Sequence, residues 1–167
     1  IAMGWENYHM HQFLIDGEVY SSHEMLGDSC SGFECMDSVN VTLGQLIPNE
    51  ADQLKFLYEY DFGDNWRHEI RFEKRLKRST DEVYPICVDG KGACPPEDIG
   101  GIWGFYSFLE GLTDPNHADH EVAFDRLGDD YDPNDFEAAE TTKQMREGFQ
   151  SSDATDDDDE LDDSEID

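Results

Sequence analysis

The stretch LKFLYEYDFGDNWRHEIRF, residues 54–72, decides the fold. Apolar or aromatic residues take every second position from Leu54 to Tyr60 and again from Trp66 to Phe72, and in the second part the positions between them are Arg or Glu. This alternation is typical of strands with one buried face. The residues between the two parts include Gly63, for which we expect a positive φ, and two aspartates that can cap backbone N–H groups. The stretch therefore predicts two antiparallel strands joined by a turn.

The turn contains Asp-Phe-Gly, the letters that mark the magnesium-binding loop of protein kinases. A kinase also needs a glycine-rich loop, a strand lysine and a catalytic loop upstream, because phosphoryl transfer requires these parts together. Only 60 residues precede Asp61, and they hold a single lysine, Lys55, and no such loop. The kinase class is therefore excluded.

A second hairpin is predicted at residues 9–21, HMHQFLIDGEVYS. Its Asp16-Gly17 pair has the composition that a type I′ turn requires. His9, His11, Phe13 and Ile15 would then share one face of the first strand. Residues 21–40 collect Ser, Gly and Asp and predict a loop, and residues 41–50 predict one or two helical turns that end before a proline.

The second half of the chain predicts a long connection followed by helices. Residues 78–101 are rich in Gly and Pro, and a loop of this length inside a compact domain tends to be functional or disordered; its Pro-Pro pair favours an ordered one. Residues 102–112 repeat large apolar side chains at spacings of three and four, which predicts a buried helix. Asp114-Pro115 and Asp132-Pro133 each predict a helix start, and Gly128 predicts the end of the first of these two helices.

These elements in order predict an α+β fold, with antiparallel β-hairpins packed with a C-terminal group of helices. We predict one domain over residues 1–150. Residues 151–167, SSDATDDDDELDDSEID, hold 10 acidic residues and no Lys or Arg. Such a segment cannot bury apolar surface and repels itself, so it is predicted to be a disordered acidic tail.

The net charge of the chain limits the kinds of partner that it can bind. The chain has 41 acidic and 11 basic residues, a formal charge of -30. Because affinity for a phosphate backbone comes from Lys and Arg, we expect no direct nucleic-acid binding, and basic proteins are the predicted partners. No stretch reaches the roughly 18 apolar residues that a membrane span needs, and no signal peptide is visible. We therefore expect an intracellular, cytoplasmic protein, with the nucleus left open and no membrane partner.

Four cysteines have spacings that do not suit a zinc knuckle, since neither pair is separated by two residues. They are Cys30, Cys35, Cys87 and Cys94. In a chain long enough to build a good core, we interpret them as reduced thiols in an intracellular setting.

The histidines suggest a metal site. His9 and His11 would project on the same side of a strand, and His68 on the inner face of another strand could approach them. Three neutral imidazoles with an Asp or Glu would suit zinc or another divalent transition metal. In the alternative, which stays open, His9 and His11 lie on a half-exposed face and His68 is a core histidine bonded to a neighbour.

Two other patterns have structural explanations that we favour. His117 and His120 are spaced for co-ligation on a helix, but their acidic surroundings indicate a solvated helix N-terminus. The free N–H groups after Gly100 could hold an anion, yet Glu97 and Asp98 would repel it. No G-x-S-x-G elbow, P-loop or G-x-G-x-x-G is present.

Four stretches together resemble the Ri-plasmid open-reading-frame-three-like family, also known among passenger (TnpR-like) proteins of bacterial insertion elements. They are MGWENYHMHQF (3–13), YEYDFGDNWRHEI (58–70), CPPEDIGGIWGFYSFLEGLTDPNHADHE (94–121) and DPNDFE (132–137). The resemblance implies an α+β domain of poorly defined biochemistry and a mobile-element context. It also implies an N-terminal strand and helix that we expect to be missing here. Resolvase catalysis needs a nucleophilic serine among several arginines, and the sequence suggests no such cluster.

The matching positions are expected to cluster. The candidate site residues are His9, His11, Asp61, Asp64, Trp66, His68, Cys94, Glu97 and Asp98. Our leading hypothesis is a non-catalytic, acidic interaction or accessory module. The alternative is a metal-dependent hydrolase with the three histidines as ligands and Asp61, Asp64 or Glu97 as a further ligand or general base.

Overall fold

The computed structural model describes residues 2–22, 35–47 and 54–153, with side chains to residue 148. A five-stranded mixed sheet and several helices make an α+β fold, as predicted. The chain forms two compact units. The sheet unit comprises Tyr8–Arg78 and Pro95–Asp129, and the terminal unit comprises Ile1–Asn7, Ser79–Cys94 and Asp130–Asp167. The single domain over residues 1–150 stays a prediction.

The sheet has the strand order β3-β2-β1-β4-β5. Its strands are β1 (His11–Ile15), β2 (Glu18–Ser21), β3 (Cys35–Asp37), β4 (Leu54–Tyr60) and β5 (Trp66–Phe72). All neighbours are antiparallel except β2 and β3, which run parallel. The predicted strand pair is confirmed, with Tyr60 opposite Trp66 and Leu54 opposite Phe72.

The first hairpin is also confirmed. Ile15 pairs with Glu18, so Asp16 and Gly17 alone form the loop. Their φ angles of 52° and 89° are both positive, as a type I′ turn requires. Its strands supply the buried residues Ile15 and Tyr20, which form a core with Phe56 of β4.

The turn between β4 and β5 differs from the prediction in one respect. Positive φ occurs at Asp61 (53°) and Asn65 (56°), whereas Gly63 does not have it. The predicted capping is present, because Oδ1 of Asp61 accepts bonds from the N–H groups of Gly63 at 2.9 Å and Asp64 at 3.3 Å. Aspartate tolerates the left-handed region because its side chain can bond the local backbone, so the turn does not need a glycine there.

The loop predicted for residues 21–40 is wrong where the structure describes it. Ser21 ends β2, residues 35–37 form β3, and residues 38–40 form a short 3-10 helix. A three-residue strand is too short to show periodicity, which is why the sequence did not reveal it. Residues 23–34 lie outside the described residues. The predicted short helix is confirmed as α1 (Leu43–Leu46).

The helix after the long connection begins as predicted but is not buried. Helix α2 (Gly101–Thr113) exposes a row of large side chains along one face. Its other face packs on α3 (His120–Leu127), where a Cβ on Gly111 would lie 3.1 Å from that of Ala123. Apolar residues of α2 lie on several sides of the helix, whereas α3 covers only one face of it. The buried-helix prediction is therefore wrong.

Both helices predicted at Asp-Pro pairs begin several residues later, at His120 and at Ala138, the first residue of α4 (Ala138–Asp153). The Oδ1 of Asp114 accepts a 2.9 Å bond from the N–H of Asn116, and Asp132 does the same with Asn134. These are Asx turns, in which the carboxylate caps a turn instead of a helix. Gly128 ends α3 as predicted, with its N–H bonded to the carbonyl of Phe124 at 2.9 Å.

In the terminal unit, α4 holds the connecting loop through polar contacts. The Nε of Arg146 donates to the carbonyl of Pro85 at 3.1 Å, and the N–H of Cys87 donates to Oγ1 of Thr142 at 2.9 Å. Of the predicted tail, residues 151–153 belong to α4, and 154–167 lie outside the described residues.

Two further expectations concern the cysteines and the membrane. No disulfide joins Cys35, Cys87 and Cys94 to one another, Cys30 falls outside the described ranges, and the reduced state of the thiols stays a prediction. Within those ranges, no helix has both the length and the apolar character that crossing a membrane requires.

Candidate metal centre

The His9 imidazole faces three carboxylates in the sheet unit. Its Nε2 lies 3.3 Å from Oδ1 of Asp98, 3.8 Å from Oδ2 of Asp61 and 3.8 Å from Oε2 of Glu97. This nitrogen is buried and makes no hydrogen bond in the described part of the chain. We call these four residues the His9 cluster. Ligating atoms of His9, Asp61 and Asp98 all lie within 4.8 Å of one another, a spacing that no other described group of three His, Cys, Asp or Glu residues meets.

Strand pairing brings His9 and Asp61 together. Strands β1 and β4 are neighbours, with His11 opposite Tyr60, so the residues flanking this pair meet at one end of the sheet. The N–H of Asp61 donates a 2.9 Å bond to the carbonyl of Met10, which extends the pairing by one step. One carboxylate oxygen of Asp61 caps the turn, and the other faces His9. The position of the Asp61 carboxylate is thus set by both the sheet and the turn.

Glu97 is held in place by Tyr60. The Tyr60 hydroxyl donates a 2.8 Å hydrogen bond to Oε1 of Glu97, and Oε2 is the oxygen that faces His9. Burial, followed by this hydrogen bond, raises the pKa of Tyr60 well above its ordinary value. Burial and, second, the charge of Glu97 raise the pKa of Tyr58 to about 12. Both hydroxyls therefore keep their protons at neutral pH, and Tyr60 remains a donor.

Asp98 is brought to the cluster by a loop that is fastened to the β4–β5 turn. The N–H of Gly100 donates to Oδ2 of Asp64 at 3.0 Å. Gly101 lies so close that an added Cβ would stand 2.3 Å from the carbonyl oxygen of Asp64, an approach that only glycine allows. Asp64 therefore joins the two segments that carry the carboxylates of the His9 cluster.

Two of the cluster residues have an unusual backbone conformation. Asp61 has a φ of 53° and Asp98 a φ of 54°, both in the left-handed region. For a residue with a side chain this costs on the order of 1 kcal/mol or more, and such strain concentrates at functional sites. Asn7, Asp16 and Asn65 have the same conformation outside the cluster, and the bonds of Asp61 to the turn backbone accommodate it, so the conformation places the two carboxylates but does not by itself mark the cluster as functional.

The residues present fit a divalent cation. Two ligand atoms about 2.1 Å from one ion are roughly 3.0 to 4.2 Å apart, depending on the angle between them. The contacts of His9 with the three carboxylates, 3.3 to 3.8 Å, fall in this range. Imidazole suits Zn²⁺ and Fe²⁺, and carboxylates suit Mn²⁺ and Mg²⁺. The donor set of one imidazole with the Asp61 and Asp98 carboxylates, beside Glu97, is therefore chemically suited to a cation of the Mn²⁺, Fe²⁺ or Zn²⁺ kind, whose charge would offset the repulsion among the carboxylates.

The structure does not bring the three predicted histidine ligands together. His11 and His68 are not among the grouped ligating atoms. Nδ1 of His11 lies 3.4 Å from the carbonyl of His9, and Nδ1 of His68 lies 3.3 Å from the carbonyl of Tyr58. Burial lowers the pKa of His68 below its usual value, opposed by that carbonyl. The ligating atoms that lie together are those of one imidazole, His9, with Asp61 and Asp98, and the three-imidazole ligand set stays a prediction that these positions do not favour.

The remaining candidate residues have other places in the fold. Trp66 begins β5, opposite Tyr60. Cys94 belongs to the terminal unit, where its carbonyl accepts a 3.3 Å bond from the Tyr131 hydroxyl. His120 has its Nδ1 2.7 Å from the carbonyl of Gly111, and Nδ1 of His117 accepts from the N–H of Asp119 at 3.2 Å, so these two histidines serve the local structure.

Sequence reasoning missed Tyr60 as a site residue, because it was assigned only to the buried face of a strand. Its position in the sequence could have indicated a role in the site, because Tyr60 is the last inward-facing residue of β4 and immediately precedes Asp61. A buried tyrosine needs a partner for its hydroxyl, and a carboxylate from another segment supplies one.

Known proteins are similar to this chain in sequence, and one solved structure is also similar in fold. The family model described as "Plasmid pRiA4b ORF-3-like protein" matches residues 1–140. "Uncharacterized protein y4hQ" of Sinorhizobium fredii is 36% identical over 132 residues, which cover 78% of this chain but 65% of that protein. The chain therefore spans about two thirds of the length of this relative. The crystal structure of a protein of unknown function, MM3350 from Methanosarcina mazei Go1, is similar with a TM-score of 0.69 and 36% identity, covering 83% of this chain and 76% of that one.

Proposed function

The chain belongs to the plasmid pRiA4b ORF-3-like family, and from that premise we propose that its sheet unit holds a divalent metal ion and acts as a metal-dependent hydrolase. One observation carries the proposal: the buried Nε2 of His9 makes no hydrogen bond in the described residues and faces three carboxylates at 3.3 to 3.8 Å. A buried polar atom normally has a partner. A cation shared with Asp61 and Asp98 would provide it.

The competing explanation is a protonated His9 that forms ion pairs. In that case its Nε2–H should point at one oxygen with good geometry, because an unsatisfied buried donor is costly. The contact with Asp98 is 3.3 Å and none of the three contacts is a hydrogen bond. The absence of a well-formed hydrogen bond at Nε2, with ligating atoms of Asp61 and Asp98 nearby, supports a shared ion over a single ion pair.

The surroundings of the cluster suit hydrolysis. A bound divalent cation supplies Lewis acidity and a nucleophile at neutral pH. The side chain of Asp98 is 61% exposed, so the cluster opens to solvent on that side, whereas that of Glu97 is only 14% exposed. Glu97, oriented by Tyr60, is placed to accept a proton as the general base or to act as a further ligand. With a chain charge of -30, a neutral or cationic substrate is favoured over a polyanion.

A second candidate function is the acidic interaction module. It is favoured by a different observation, the large apolar side chains that α2 exposes on a strongly acidic chain. Its partners would be basic proteins, and salt would weaken the attraction. The mobile-element context rests on the family resemblance alone and supplies no activity.

Calorimetric titration of the metal-free protein with Mn²⁺ and with Zn²⁺ tests the first proposal. We expect one tight site per chain, with affinity reduced by about 100-fold or more in His9→Ala and in Asp61→Asn, since each loses a ligand. Asp61→Asn keeps the turn-capping oxygen, so the turn survives. The control His117→Ala removes a histidine outside the cluster and should bind as the unaltered protein does.

Two results would count against the proposal. If His9→Ala binds metal as tightly as His117→Ala does, the metal-centre proposal is wrong and the binding belongs to other acidic groups. If the His9-dependent site exists but the loaded protein hydrolyses no member of a panel of neutral and cationic esters, amides and phosphotriesters, the centre stands and the hydrolase proposal fails.

A further inference from the structure

Helix α2 carries an aromatic stripe, which we define as Ile102, Trp103 and Tyr106. Their exposed fractions are 52%, 85% and 57%. Residues at i, i+1 and i+4 lie on one side of a helix, so these side chains form a continuous apolar surface. The opposite side of α2 is occupied, because Gly111 packs on Ala123 and Ser107 bonds to Asp119 at 2.8 Å.

Exposure on this scale is unusual for tryptophan. Trp5 in the terminal unit has an exposed fraction of 8%, against 85% for Trp103. Single exposed apolar residues are common, but a contiguous group with Trp and Tyr at its centre is typical of an interface, where these two residue types contribute most of the binding energy.

The segment that carries the stripe is acidic, which indicates which partner fits. Glu110, one turn beyond Tyr106, has a side chain that is 77% exposed, and we call it the acidic margin of the stripe. In the segment 95–129 the sole basic residue is Arg126. The segment's eight acidic residues are Glu97, Asp98, Glu110, Asp114, Asp119, Glu121, Asp125 and Asp129.

We propose that the aromatic stripe docks a basic amphipathic helix of a partner protein, with apolar side chains on the stripe and Lys or Arg beside its acidic margin. The inference rests on the second candidate function and is independent of the metal centre. Amphipathic helices commonly bind in this way, through apolar anchors one turn apart. The basic flanks add attraction that steers the encounter.

Charge also argues against the other occupants. A second copy of the chain would place one acidic margin against another, and each copy carries a charge of -30. An anionic membrane surface and a nucleic acid would be repelled by the net negative charge of the chain.

The test uses the full chain and two fluorescent peptides of about 18 residues, made of Leu and Lys in equal composition. In one the leucines recur at helical spacing, and in the other the order is scrambled so that no apolar face forms. Fluorescence anisotropy gives both affinities. We expect the amphipathic peptide to bind about tenfold tighter or more than the scrambled peptide, with a blue shift of the tryptophan emission as Trp103 leaves water.

Matched variants locate the site. Trp103→Ser should remove the difference between the two peptides while leaving the scrambled peptide's affinity unchanged, because that affinity reflects net charge alone. Val88→Ser, at a residue 89% exposed in the terminal unit, should preserve the difference. Equal affinities for the two peptides, or a difference that survives Trp103→Ser, would overturn the proposal.

Two further measurements keep the proposals separate. A dimer in sedimentation that dissociates in Trp103→Ser would assign the stripe to self-association and also overturn the docking proposal. Repeating the peptide titration with a chelator should leave the affinities unchanged, so that failure of the metal centre and failure of the docking surface are distinguishable.

Discussion

The Tyr60 hydroxyl donates a 2.8 Å hydrogen bond to Oε1 of Glu97, and it directs the other oxygen of that carboxylate toward His9. Tyr60 is 1% exposed, so packing of the sheet fixes where the hydroxyl points. A residue that need not touch a metal ion thereby positions one of the groups of the His9 cluster.

Removing this hydroxyl should weaken metal binding without unfolding the protein. We expect Tyr60→Phe to lower Mn²⁺ affinity by about tenfold or more, as losses of groups that orient ligands typically do. The ring stays, so the core keeps its volume. Calorimetry measures the affinity, and Tyr58→Phe, which removes a hydroxyl from the neighbouring inward-facing position, is the control. Equal losses in the two variants would show that Tyr60 has no special role.

The ionisation of Tyr58 reports on the charge of Glu97. Burial is the larger cause of its pKa of about 12, and the Glu97 carboxylate is the second. In Glu97→Gln the second cause disappears, so the pKa of Tyr58 should fall but stay above the ordinary value near 10. Absorbance at about 295 nm measures tyrosinate, and comparison with Tyr58→Phe assigns the signal. An unchanged pKa would mean that Glu97 is not an ionised neighbour.

The close approach of Gly101 to Asp64 predicts a large loss of stability on substitution. Gly17→Ala adds only the cost of a left-handed backbone, about 1 to 2 kcal/mol, since nothing lies within 4 Å of its new Cβ. Gly101→Ala adds in addition a contact of 2.3 Å with a backbone oxygen. Urea unfolding should therefore show a clearly larger decrease in the free energy of unfolding for Gly101→Ala. Similar decreases in both variants would contradict the packing of the loop on the turn.

Burial of His68 predicts a dependence of stability on pH. Its pKa in the folded protein is below the value of about 6.5 in the unfolded chain. As the pH falls, the unfolded state therefore binds the proton first. The stability that neutral His68 contributes is fully present above pH 6.5 and is lost as the pH falls through the folded pKa. The free energy of unfolding should decline more between about pH 7.5 and 5 in the unaltered protein than in His68→Gln. Equal declines would place His68 in contact with water.

Local patterns in the sequence were enough to predict the two hairpins. The alternation of Leu54 to Tyr60 and the Asp16-Gly17 pair are local properties, because a strand with one buried face and a type I′ turn each impose them on neighbouring residues. Helix starts were less predictable. An Asp-Pro pair such as the one at Asp114 can stabilise either an Asx turn or a helix cap. Here it forms an Asx turn and the helix begins at His120, so packing and not the local sequence sets the helix start.

The candidate site depended on contacts that no local pattern encodes. His9 precedes β1, which begins at His11, so the expectation that residues two apart on a strand share a face did not apply to this pair. Asp61 and Asp98 come from separate segments, which are joined by the bond between Gly100 and Asp64 and by the bond between Tyr60 and Glu97. The residue types were visible in the sequence, whereas their grouping depends on the register of β1 against β4.

The most direct test of the metal centre is an anomalous difference map from crystals grown with Mn²⁺. A single peak about 2.0 to 2.2 Å from Nε2 of His9 and from carboxylate oxygens of Asp61 and Asp98 is the predicted result. A map without a peak at His9, in which Nε2 instead donates a well-formed hydrogen bond to one of the carboxylates, would contradict it and leave the cluster as an ion-paired histidine.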